Sequence, residues 1–193
     1  MMTVNRLIFS LVLLTLLAGC GSTPRSDYYV LSSDAAGKIG NEGPSLGLGP
    51  ITIPEYLKRR EMVRDRQSHK LNFAEFDRWA EPLDSGILRV TVLNLSKLLN
   101  TQQIQPFPFR RSSLPDYAIS IAVIELGTHG TTALLVTEWR VSNPVTGESL
   151  SQNIHKFEVS VADTNPETVA TAYSELLRQL AVAIADAVKQ QIT

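Results

Sequence analysis

The apolar positions of this chain change their period several times, and each change marks an element. Tyr28, Tyr29, Val30 and Leu31 are aromatic or branched and predict a short first strand. Residues 32–45 are mostly polar, with Gly37, Gly40, Gly43 and Pro44, and predict a flexible loop. Apolar residues return over 46–53 and stop at Pro54, which suits a strand ended by its proline. Residues 61–67 and 71–76 predict two short strands around Ser68, His69 and Lys70. After Pro82 the spacing of Leu88, Val92, Leu95 and Leu99, supported by Ile87 and Leu98, predicts a helix over 83–99. Residues 105–115 hold three prolines and read as loop.

Period-two alternation then takes over. Tyr117, Ile119, Ile121 and Val123 share one face, and residues 127–130 supply a turn. Leu135, Thr137, Trp139 and Val141 oppose Leu134, Val136, Glu138 and Arg140, and residues 143–147 form the next turn. Phe157, Val159 and Val161 continue the pattern. The connections are too short for parallel crossovers, so these three strands should be antiparallel neighbours. The last element is a helix capped by Thr164 or Asn165, with Pro166 in its first turn and Glu167 three residues after Thr164. Its apolar face is Val169, Tyr173, Leu176, Leu177, Leu180, Ile184 and Val188. Two helices with one apolar stripe each must cover a sheet. The expected fold is α+β: a mixed, mostly antiparallel sheet covered on one face by two amphipathic helices.

The first nineteen residues obey another logic. Asn5 and Arg6 precede an apolar or small run over 7–17, followed by Ala18-Gly19-Cys20. A basic start, about 10 apolar residues and small residues before a cut describe an export signal. A membrane span would need about 20. The only cysteine of the chain stands directly after the small pair, an arrangement that resembles the lipobox of bacterial lipoproteins. Cys20 is thus the expected lipidation site. One acyl chain anchors only reversibly, at about 0.8 kcal/mol per buried CH₂, whereas two or more anchor stably. Gly21, rather than Asp, follows the cysteine and resembles the pattern of lipoproteins forwarded to the outer membrane. The expected organisation is a signal over 1–19, a lipidated tether over 20–27 and one globular domain over 28–193. The tether segment 21–27 could reach at most roughly 25 Å.

Composition narrows the chemistry. Without the signal, 17 Lys and Arg face 19 Asp and Glu. A nucleic-acid binder needs a basic surplus, and none is present. His69, His129 and His155 are far apart and read as surface or loop residues, with no metal-ligand spacing. No nucleophile elbow or phosphate loop occurs, and Gly47-Leu48-Gly49 fails as a dinucleotide fingerprint because Thr52 stands where the third glycine belongs. Glu75, Asp77 and Glu81 read as solvated or dipole-complementing groups rather than an acid–base pair. The expectation is no enzyme, no metal and no cofactor. Lys58, Arg59, Arg60, Arg64 and Arg66 form either a solvated hairpin surface or a patch for anionic headgroups or an acidic partner. Phe107-Pro108-Phe109-Arg110-Arg111 is either an exposed partner loop or a loop packed on the sheet.

Several segments, in order, resemble one family across nearly the whole domain. They are Asp27-Tyr28-Tyr29-Val30-Leu31, Ile51-Thr52-Ile53-Pro54-Glu55-Tyr56-Leu57, and Arg78-Trp79-Ala80-Glu81-Pro82-Leu83 leading into the Asn94-Leu95 helix. The strand over 121–127, Glu138-Trp139-Arg140 and the final helix follow. This resembles the PqiC-like auxiliary lipoproteins of ABC-type and MCE-type transport systems. The resemblance implies a non-catalytic outer-membrane lipoprotein on the periplasmic face, in an intermembrane lipid-transport complex. An MCE-family protein anchored in the inner membrane would span the periplasm, and this chain, as a homo-oligomeric ring, would dock its far end. Only Cys20 carries over as a functional residue. Two rival readings are a structural envelope lipoprotein and a periplasmic envelope-modifying enzyme.

Overall fold

The computed structural model describes residues 24–192 apart from Ser68, and for residues 64–67 it describes the backbone alone. The export signal, Cys20 and the first part of the tether lie outside the described residues, as do the side chains of Arg64 and Arg66.

Eight strands and two long helices follow one another: β1 (Asp27–Tyr29), β2 (Leu46–Thr52), a 3-10 turn (Glu55–Leu57), β3 (Glu61–Gln67), β4 (Lys70–Trp79), α1 (Leu83–Leu98), β5 (Ile104–Pro106), β6 (Tyr117–His129), β7 (Thr132–Ser142), β8 (Ser149–Ser160) and α2 (Pro166–Ile192). The strands form two sheets, β1-β4-β3 and β5-β2-β6-β7-β8. The α+β expectation holds, with the sheet divided in two.

The β6-β7-β8 meander is antiparallel as expected, with Ile121 opposite Trp139 and Leu135 opposite Phe157. The alternation in β7 put the right residues inside: Leu135, Thr137, Trp139 and Val141 are all buried. Strand β2 is parallel to both its neighbours, Leu48 pairing with Pro106 and with Ile119. Both partners lie more than fifty residues away, which a local pattern cannot show. The helices pack on each other, α1 against β2 and α2 against β7 and β8. Leu176, Leu177, Leu180 and Ile184 of α2, Ile87 and Leu95 of α1, and Leu46, Ile119 and Leu135 of the sheet are fully buried. Trp79 stacks on Tyr173 at 6.0 Å between ring centroids and ties the smaller sheet to α2.

Four expectations need correction. The turn over 127–130 is displaced: β6 runs on to His129 and the hairpin closes at residues 130 and 131. Gly127 is paired with Leu134, buried within the strand rather than bending it. The buried stripe of α1 is Leu83, Ile87, Val90, Thr91, Asn94 and Leu95, so Leu88 and Val92 sit at its margin. Asn94 is buried in that stripe, where its Oδ1 accepts from Ser33 Oγ and the Ala35 N–H. Residues 32–45 are no free loop but are bonded along α1, and residues 105 and 106 of the expected proline loop belong to β5. At the start of α2 the exposed Asp163 carboxylate accepts the Asn165 backbone N–H at 3.0 Å, which holds that carboxyl below its usual range.

Candidate functional site at the tethered end of the domain

The described chain enters the fold at β1, which lies parallel to β4 with Asp27 opposite Asp77 and Tyr29 opposite Trp79. Three residues of strand would be a weak attachment, since each backbone hydrogen bond contributes only about 1 kcal/mol net. The chain compensates over the next eight residues. The Ala80 N–H donates to the Tyr29 carbonyl at 2.9 Å, and the Tyr29 hydroxyl donates to Asp77 Oδ1 at 3.3 Å. Burial and the adjacent Asp77 carboxylate push that phenol upward. Leu31 is buried, and its carbonyl accepts from Arg89 Nη2 at 2.9 Å while the same guanidinium grips Glu81 Oε1 at 2.5 Å.

Beyond Leu31 the attachment reaches both helices. The Ser32 N–H donates to Ser174 Oγ of α2 at 3.0 Å, and that hydroxyl donates back to the Ala170 carbonyl at 2.8 Å. Ser33 Oγ donates to Asn94 Oδ1 of α1 at 2.7 Å, and the Ala35 N–H donates to the same oxygen at 3.3 Å. Further on, the N–H groups of Glu42 and Gly43 donate to the Asn100 carbonyl at 3.1 and 3.0 Å. Gly37 lies so close to the Lys97 carbonyl, at φ +129°, that a side chain would collide there. The residues after β1 are thus bonded to β4, α1 and α2.

The residues singled out for chemistry do not converge. His129 Nε2 meets Glu125 Oε1 at 3.0 Å, His155 stacks on Trp139 at 6.3 Å, and His69 is exposed elsewhere. Among the described residues no three potential ligands group to hold a metal ion. Glu81 and Asp77 serve the tether contacts given above. Of the basic cluster, Lys58 pairs with Glu55 at 2.5 Å, and Arg59 pairs with Glu61 at 3.4 Å and lies 4.5 Å over the Phe73 ring. Those contacts match a solvated hairpin surface. An open cavity of about 530 Å³ at the C-terminal ends of the two helices is bordered by Pro44, Leu98, Leu99, Tyr117 and Ile192. Both carboxylates at its rim are engaged: Asp116 accepts from the Ser45 N–H at 2.8 Å and hydroxyl at 2.7 Å, and Glu42 accepts from Asn100 Nδ2 at 2.7 Å.

Sequence reasoning missed Ser32, Ser33, Asn94 and Ser174. A loop serine and a helical asparagine carry no local signal of the partner they meet across 61 or 142 positions. The motif residues of the family resemblance fare better. Trp79, Leu31, Leu57 and Leu83 are buried, and Glu81 positions Arg89.

The polar side chains of this domain fasten its own N-terminal segment to both helices. The chain belongs to the family of ABC-type transport auxiliary lipoprotein components, whose profile matches residues 29–185. Its fold is shared by protein XCC0632 from Xanthomonas campestris, with a TM-score of 0.71 at 12% identity over 86% of this chain and 98% of that one. A second crystal structure, of a protein described as uncharacterized, gives 0.69 at 17% identity over 88% of this chain and 100% of its own. At such identities the likeness is one of fold alone. No protein of curated function matches the chain. Family membership makes this a lipoprotein that serves a transport system, and so one with partners and a membrane attachment. Among the described residues no helix is long and apolar enough to cross a membrane.

Proposed function

We propose that the chain is a non-catalytic outer-membrane lipoprotein of an MCE-type intermembrane lipid-transport system. In this reading residues 1–19 are removed on export, Cys20 carries the acyl anchor, and residues 20–27 tether the domain over 28–193. The domain sits on the periplasmic face and receives the outer end of an MCE-family periplasm-spanning protein held in the inner membrane. Copies of the chain form the receiving ring.

The observation that carries the reading is the family match over 29–185, joined to a tethered end bonded to both helices. A docking element must resist being drawn off its membrane, and this attachment suits that load. An apolar conduit must also end without exposing its cargo to water. A ring of acylated domains would close that junction. β8 offers a free edge for such contacts, with Ile154 67% exposed on it.

Crosslinking in intact cells followed by capture of the full-length chain tests the partner. An MCE-family protein in the captured fraction is the expected result, and capture of only unrelated envelope proteins would overturn the reading. Mass spectrometry of the mature N-terminus tests the anchor, where a triacylated Cys20 is expected. Membrane fractionation tests the location.

A further inference from the structure

Two apolar segments meet the start of α1. Leu31 Cδ1 lies 3.4 Å from where a Cβ on Gly86 would stand, against the first turn of α1. Phe107 borders a groove of about 250 Å³ with Asp84, Ser85 and Leu88 of the same helix. Leu31, four residues beyond the expected tether, and the 106–115 loop thus both abut the first two turns of α1.

That loop is built to project. Pro115 is buried, with its ring 2.8 Å from where a Cβ on Gly47 would lie, and the Phe109 ring is closer still. Phe109 also meets Phe107 edge to face at 5.5 Å. On this base Phe107 is 53% and Leu114 41% exposed, and Pro106 and Pro108 are exposed beside them. Arg110 and Arg111 are exposed and have no carboxylate within ion-pair distance among the described residues. The nearest acid along the groove, Asp84, accepts the Ser85 N–H at 2.9 Å.

We infer that the 106–114 loop is a second membrane contact: Phe107 and Leu114 enter the headgroup boundary while Arg110 and Arg111 meet anionic lipid headgroups. Aromatic rings favour that boundary, and paired basic residues are drawn to anionic lipid. The tether's reach of at most roughly 25 Å keeps the loop within range of the same bilayer. One anchor fixes a distance; two contacts also fix an orientation, which docking at a membrane requires. The inference rests on the acylated-anchor reading, and the two can fail separately.

The test reconstitutes the mature acylated chain in vesicles of phosphatidylglycerol and phosphatidylcholine, with a nitroxide attached at Phe107→Cys. Leu114→Cys serves as a second reporter if the first disturbs Phe109. Val145→Cys, in the β7–β8 turn and 76% exposed, is the aqueous control. The ratio of collisions with oxygen to those with a nickel chelate should be several-fold higher at 107 and 114 than at 145. It should fall in phosphatidylcholine alone and in an Arg110→Gln/Arg111→Gln background. Reporters as open to nickel as the control, on a chain whose N-terminus is acylated, overturn the inference and leave the anchor standing. If Cys20 proves unmodified, the anchor reading fails, and the loop is judged on a Cys20→Ser protein mixed with anionic vesicles. Sedimentation that falls on the order of tenfold in affinity when both arginines are replaced then supports the loop contact. No sedimentation overturns it.

Discussion

Trp79 joins the smaller sheet to α2. Its ring is buried and stacked on Tyr173, so Trp79→Ala leaves a cavity that the rigid helix pair cannot fill. A loss of about 3–5 kcal/mol in urea unfolding is expected. Asn94 is smaller but holds two donors. Asn94→Ala leaves the buried Ala35 N–H without its acceptor and should cost about 1–3 kcal/mol, with faster hydrogen exchange at Ala35. Glu175 titrates in a defined direction. The bidentate contact with Arg178, 2.6 and 2.7 Å, holds its carboxyl below the usual range against the opposing effect of burial. A group lowered on folding stabilises the fold above its unfolded pKa, about 4.3, and loses that contribution as pH falls through the lower folded value. Urea midpoints measured from pH 6 downward should fall less steeply for Glu175→Gln than for the parent below about pH 4.

At the scale of elements, the strands and helix that follow Asp116 could be read from their own residues. Alternation in β7 and the 3.6-residue period of α2 each expose one continuous apolar face. α1 was read with its face turned, since Asn94 and Thr91 look polar until the segment bonded to Asn94 is in place. β5 escaped because Pro106 argues against a strand, yet it sits at the sheet edge, where its missing N–H costs nothing. The serines that fasten the segment after β1 had no periodic signal at all, and the expectation at Cys20 lies outside the described residues. The base of the 106–115 loop gives this scale its own test. At Gly47 a methyl group would overlap the Phe109 ring and approach Pro115 at 2.8 Å. Gly47→Ala should therefore destabilise by about 1–3 kcal/mol and raise protease cleavage within residues 107–114, while leaving the α2 core amides protected.

For the whole molecule the governing feature is the position of β2. It lies between β5 and β6, second from one edge of the larger sheet, and both partners come later in the chain. Thr52 pairs with Ala122, and Leu46 pairs with Ile104 on the other side. A chain emerging from the ribosome at about 5–20 residues per second thus holds β2 without its β6 partner for on the order of ten seconds. Long sequence separations slow closure further. During that interval β2 presents an unmatched edge, so the arrangement that makes the finished sheet rigid leaves the growing chain open to wrong pairing until β6 is made.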